Sequence, residues 1–258
     1  MQLSTDLQYW SRGIDHFQNK DYQKAIDDYT EALKLNPKLD KVLVDRGDAK
    51  RELKQYPEAI KDYDLAIQIE SENKDAFHHR GITKALLKDY KGAIEDYTKA
   101  LFENYTTAEI YCDRASSKYY LLDYPGALFD YTFALRSPAP KYSSVDRKAY
   151  FGRAWVRYVL KDYSGAVEDY TKLIELYPEN FGAYTNRAKM KSILLDHKGA
   201  IEDCTTAIKI NPAFGLAYSN RGEAYILTNE KNKGCADLAK AKDLGYEKVE
   251  ELIKKYCE

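Results

Sequence analysis

The apolar residues of this chain recur three and four positions apart, the spacing of helices that bury one face. Between Asp21 and Asn36 that face is Ala25, Ile26, Tyr29, Ala32 and Leu33. Ahead of it, Tyr9, Gly13 and the next apolar slot follow at i, i+4 and about i+8. The pattern then repeats. A small residue returns at Gly13, Gly47, Gly81, Ala115, Ala154, Ala188 and Gly222, in steps of 34 residues with a single step of 39. Twelve residues after each stand Ala25, Ala59, Ala93, Ala127, Ala166, Ala200 and Gly234. Three aromatic columns run alongside. One is Tyr22, Tyr56, Tyr90, Tyr124 and Tyr163, broken by His197 and Lys231; another is Tyr29, Tyr63, Tyr97, Tyr131 and Tyr170, broken by Cys204 and Leu238. The third is Tyr9, Phe77, Tyr111, Tyr150, Tyr184 and Tyr218, with Leu43 as the exception. Each period predicts two helices joined by a turn, the first running from about the Tyr9 column to the Asn19 column.

Turn chemistry supports the second helix of each period. Asp21, Asp89, Asp123, Asp162 and Asp196 stand where an N-cap belongs, with Gln55 and Glu230 as weaker substitutes. Pro57 and Pro125 follow in the first turn, where a missing N–H costs little. The second helices should stop near Asn36-Pro37, Pro138, Tyr177-Pro178 and Asn211-Pro212. Gly92, Gly126, Gly165 and Gly199, early in four of them, have no account at this level. Seven units result: 6–39, 40–73, 74–107, 108–146 with five extra residues, 147–180, 181–214 and 215–248. Gly245 suits a helix C-cap, and Tyr246 to Tyr256 reads as a polar amphipathic helix.

A helix–turn–helix unit of 34 residues with these aromatic, Gly/Ala, Ala, Tyr and Pro columns resembles the tetratricopeptide repeat (TPR) family. The resemblance implies an all-α fold, a right-handed α-solenoid (superhelix) of antiparallel helix pairs forming a single domain over 6–248. First helices would line a concave groove, second helices would lie outside, and contacts would run between nearest neighbours. Residues 247–258 resemble the helix that caps such arrays, so the chain is expected to be complete at that end.

Two charged columns depart from the family pattern. Arg12, Arg46, Arg80, Arg114, Arg153, Arg187 and Arg221 stand where a large apolar residue is usual. Asp28, Asp62, Asp96, Asp130, Asp169, Asp203 and Asp237 stand where an aromatic or apolar residue is usual. Both columns adjoin core-facing slots, and we read them as an Arg–Asp ladder between packed helices, within a unit or to its neighbour. Seven arginines binding an anionic ligand is the rival reading, opposed by the equally regular aspartates.

Composition narrows the function. Lys and Arg number 40 against 41 Asp and Glu, a net charge of −1, so no polybasic grip on nucleic acid or an acidic membrane is expected. No apolar run nears a membrane span and no signal peptide is evident at the start, so the expected location is cytoplasmic, with a processed exported form as the alternative. The 24 tyrosines mostly fill the repeat columns. His16, His197 and the adjacent His78 and His79 lack metal-ligand spacing, as do Cys112, Cys204, Cys235 and Cys257. Cys204 and Cys235 fall in core columns as buried thiols. Cys235 and Cys257 approach if the tail folds back, but a disulfide is not expected in a reducing compartment. No phosphate-loop, nucleophile-elbow, zinc-helix or EF-hand motif occurs, and no cofactor, metal or catalytic residue is expected.

What remains is the groove that the resemblance implies. A TPR subclass clamps a C-terminal carboxylate with Lys and Asn residues; only Asn186 and Asn220 fit its middle position here, so that clamp is not expected. Instead Cys112, Tyr119, Tyr120, Phe151, Trp155 and Tyr158 bring aromatic character to units four and five. Asn186, Lys189, Asn220 and Glu223 make the groove polar farther on, and His78, His79 and Ile82 line it upstream. The candidate partner-binding residues are Tyr119, Tyr120, Phe151, Trp155, Tyr158, Asn186, Lys189 and Asn220. The insertion Ser137 to Val145 reads as a loop beside them. The expected function is a non-catalytic scaffold, monomer favoured, binding a peptide or helix of another protein. The alternative is the recognition portion of a larger enzyme or of a secretion or assembly complex.

Overall fold

A computed structural model describes residues 4–101, 107–136 and 144–258. Their first helices are α1 (Thr5–Gln18), α3 (Asp40–Glu52), α5 (Lys74–Leu86), α7 (Ala108–Tyr120), α9 (Ser144–Val159), α11 (Phe181–Ile193) and α13 (Gly215–Leu227). Second helices are α2 (Tyr22–Leu35), α4 (Tyr56–Ile69), α6 (Tyr90–Ala100), α8 (Tyr124–Arg136), α10 (Tyr163–Leu176), α12 (His197–Ile210) and α14 (Lys231–Asp243). A 3-10 turn, Glu247–Val249, leads into α15 (Glu250–Tyr256). No strand occurs among the described residues, and the fold class is an all-α solenoid of helix pairs.

The chain forms two compact units, Met1–Asp130 and Tyr131–Glu258. In the first, each second helix packs on the next first helix, as α2 on α3 and α4 on α5. First helices also touch in sequence, α1 with α3, α3 with α5 and α5 with α7. In the second unit α10 packs on α11 and α12 on α13, while α11 meets α13.

The small columns are buried to make this stacking close. Ala25, Ala59, Ala93, Ala127 and Ala166 are fully buried, and Tyr29, Tyr63, Tyr97 and Tyr170 nearly so. A Cβ on Gly13, Gly47 or Gly81 would run into the ring of Tyr29, Tyr63 or Tyr97 in the same pair. The first helices start three or four residues before the aromatic column, and α9 six before it, earlier than periodicity predicts. Side-chain caps explain two of these starts: Asn73 accepts from the Ala76 N–H and Asn180 from the Ala183 N–H.

The four early glycines also acquire a reason. Asp89, Asp123, Asp162 and Asp196 each accept a hydrogen bond from the N–H of Gly92, Gly126, Gly165 and Gly199. In every case an added Cβ would collide with the capping carboxylate. Where Lys24, Glu58 or Lys233 takes that place, Asp21, Gln55 and Glu230 make no side-chain cap, contrary to expectation. Each turn before the cap holds a non-glycine residue at positive φ: Lys20, Lys54, Lys88, Leu122, Lys161, Leu195 and Asn229.

Other departures are local. The expected stop at Pro138 and most of the expected loop, 137–143, lie outside the described residues. Ser144 and Val145 belong to the first turn of α9, not to a loop, with Asp146 placed favourably for the helix dipole. Cys235 is not a buried thiol: it is half-buried and joined to Cys257 by a disulfide. The tail returns across α14 and sets their Cα atoms 5.6 Å apart, within bridging distance.

Candidate functional site

The charged columns form bonds within each pair. Arg46, Arg80, Arg114, Arg187 and Arg221 each donate from Nε and Nη2 to both oxygens of the aspartate sixteen residues on, at 2.6–2.9 Å. Arg12 with Asp28 and Arg153 with Asp169 are paired in the same way. Nη1 reaches back to the preceding pair: Arg46 to Thr30, Arg80 to Asp64, Arg114 to Thr98, Arg153 to Thr132, Arg187 to Thr171 and Arg221 to Thr205. Six of these guanidiniums also lie over the aromatic ring three residues earlier, as Arg114 over Tyr111 at 5.4 Å. Beyond Arg12 these donors are thus occupied and the side chains mostly covered, which leaves those arginines little to offer an anionic ligand.

A second cation shares most of the buried aspartates. Lys50, Lys84, Lys118, Arg157 and Lys191 approach Asp62, Asp96, Asp130, Asp169 and Asp203 within 2.7–3.1 Å. This column stands four residues after the arginines and was readable as a repeat, but only the structure shows its shared partner. Burial raises the pKa of Asp169 despite these cations.

In the first unit, the positions around the arginine column are engaged with one another. The Trp10 indole N–H donates to Asp45 at 2.6 Å. Asp48 accepts from Arg51 and the Tyr63 hydroxyl and meets His79 Nδ1, each at 2.8 Å. His78 contacts Asp113 at 2.8 Å. Burial raises the Asp45 carboxyl above its usual range, against the Trp10 N–H, which favours the charged form. Burial acts the same way on Asp48, but the His79, Arg51 and Tyr63 interactions outweigh it and hold its pKa low.

The second unit leaves a cavity of about 210 Å³ at the corresponding positions. Five of the candidate residues line it together: Trp155 and Tyr158 from α9, Asn186 and Lys189 from α11, and Asn220 from α13. The i, i+3 spacing puts Asn186 with Lys189, and Asn220 with Glu223, on one helix face. Lys189 and Glu223 bridge α11 and α13 at 3.0 Å. Asn220 is buried and donates to the Thr185 carbonyl at 3.3 Å, while the Asn186 amide makes no hydrogen bond to any described residue. The Trp155 and Tyr158 rings lie 5.4 Å apart, and Trp155 remains 39% exposed. Leu216, Met190 and Tyr170 add an apolar floor.

Three candidates do not join this cavity. Tyr119 and Tyr120 belong to the first unit, where Tyr120 stacks on Tyr90 at 4.7 Å and Tyr119 packs on Tyr124. Phe151 is absent from the cavity lining and sets its ring edge-on to Tyr170 at 5.9 Å. Cys112 is fully buried rather than groove-facing. Conversely, Tyr246, Lys248 and Leu252 of the tail line the cavity although they lie outside every groove column. Among the described residues, no group of three or more His, Cys, Asp or Glu side chains is placed to hold a metal ion. No described helix is long and apolar enough to cross a membrane.

Comparison with known proteins bears on the fold. Sequence models of the tetratricopeptide repeat match residues 11–39, 40–73 and 147–180. No curated protein matches the chain. A tetratricopeptide repeat protein from Parabacteroides merdae is 21% identical, with a TM-score of 0.66 over 98% of this chain and 99% of that one. The C-terminal part of a TPR repeat-containing protein from Cytophaga hutchinsonii is 20% identical, with a TM-score of 0.73 over 91% and 95%. YrrB, described as a TPR protein with an unusual peptide-binding site, is 16% identical, with a TM-score of 0.50 over 88% and 97%. With its tandem helix pairs and three matched repeats, the chain is a tetratricopeptide repeat protein.

Proposed function

We propose that this protein is an interaction scaffold that holds an extended segment of another protein in the cavity of its second unit, without catalysing a reaction on it. The observation that carries this reading is the company Asn186 keeps. An amide with no hydrogen-bond partner among the described residues stands beside a partly exposed indole, and backbone groups of an extended chain are what such an amide can both donate to and accept from. Trp155 and Tyr158 suit one bulky apolar side chain of that segment. The Lys189–Glu223 pair offers charge of both signs, so no strongly charged partner is required.

Panning a displayed random-peptide library against the wild-type protein supplies the probes. Binding of the recovered peptides is then measured on Trp155→Ala and Asn186→Ala variants. A loss of about tenfold or more is expected for each, with unchanged thermal melts. No enrichment in the panning, or equal binding by both variants, removes the cavity as the docking site.

A further inference from the structure

The tail is unevenly held. Val249 is fully buried with Leu238 and Ala241, and Tyr246 sits so close to Gly215 that an added Cβ there would meet Tyr246 Cβ at 2.9 Å. Beyond Val249 the packing thins. Helix α15 has seven residues and none is buried; Leu252 and Ile253 only flank the core cluster. So short a helix does not persist unaided. Its far end is fastened covalently, by Cys257 to Cys235 across 22 residues of sequence. Both cysteines are half-buried, so a small thiol can reach them.

Resting on the reading of the cavity as the docking site, we propose that the Cys235–Cys257 bond is a redox latch on it. In the oxidised state the bond keeps Leu252 in the cavity wall; on reduction the segment after Val249 frays and the site loses that wall. The reaction is thiol–disulfide exchange with an external dithiol. Its thiolate attacks one sulfur, the S–S bond breaks, and the other cysteine leaves as thiolate and takes a proton. The second thiol then displaces the mixed disulfide, so the pair gains two electrons and two protons and the dithiol is oxidised to a disulfide. Cys112 and Cys204 stay outside this exchange because both are fully buried, and burial pushes the Cys204 thiol up to about 12.

The test compares the full chain in oxidised form with the same chain in dithiothreitol, and with Cys257→Ser. Amide hydrogen exchange over 250–256 should accelerate about tenfold or more on reduction, while α14 amides near Leu238 keep their rates. Acrylamide quenching of Trp155, obtained by difference from Trp155→Phe, should rise with it. Cys257→Ser should show the open behaviour throughout and ignore dithiothreitol. Unchanged exchange over 250–256 overturns the latch. So does an equal affinity of both redox states for a peptide recovered by panning, and that outcome leaves the docking reading standing. Faster exchange in a protein that binds no peptide supports the latch and removes the docking reading instead.

Discussion

Asp130 is fully buried and faces two cations, Arg114 and Lys118. The two sides of this pair are therefore unequal. Arg114→Leu leaves the carboxylate with Lys118 and should cost about 1–3 kcal/mol, whereas Asp130→Ala strands two cations and should cost about 3–5 kcal/mol. Replacing both Arg114 and Asp130 by leucine should recover part of the loss, because removing a buried pair together is cheaper than halving it. Urea melts of the three variants check the order, and an Arg114→Leu variant less stable than Asp130→Ala contradicts it. The two charged columns were visible as a period in the sequence. Their geometry was not, because period alone cannot say whether a side chain sixteen residues away is a partner or a bystander.

Helix starts carry a second coupling. Ala for Gly inside a helix ordinarily stabilises by about 1 kcal/mol. At Gly126 the new Cβ would displace Asp123 from its cap, a loss of similar size. Gly126→Ala should thus be nearly neutral alone, yet stabilising by about 1 kcal/mol when Asp123 is already alanine. A double-mutant cycle followed by thermal denaturation measures this, and simple additivity would falsify the coupling. The helices were legible from periodicity to within a few residues. The role of the glycines was not, since a tight contact between a cap and the third residue of a helix is a matter of ångströms.

Across the whole molecule the same rung should count differently by position. The Arg12 side chain, in the first described pair, is 57% exposed, whereas Arg114, with Thr98 of the pair before it at its Nη1, is 13% exposed. Arg12→Leu should therefore cost little, as exposed pairs do, and melt closer to wild type than Arg114→Leu. Equal losses would mean that burial does not set the worth of the ladder. The 34-residue period by itself determined the helix pairs, the buried small and aromatic columns and the repeat family, because each column meets the same surroundings in every unit. Tertiary structure decided which groove candidates meet. It separated Tyr119 and Tyr120 from Trp155 by unit, turned Phe151 onto Tyr170, and brought Tyr246, Lys248 and Leu252 to the cavity from a tail outside the period. It also joined Cys235 to Cys257. A repeat encodes what is common to its units, but a binding site is made where units and tail differ, and that difference exists only in three dimensions.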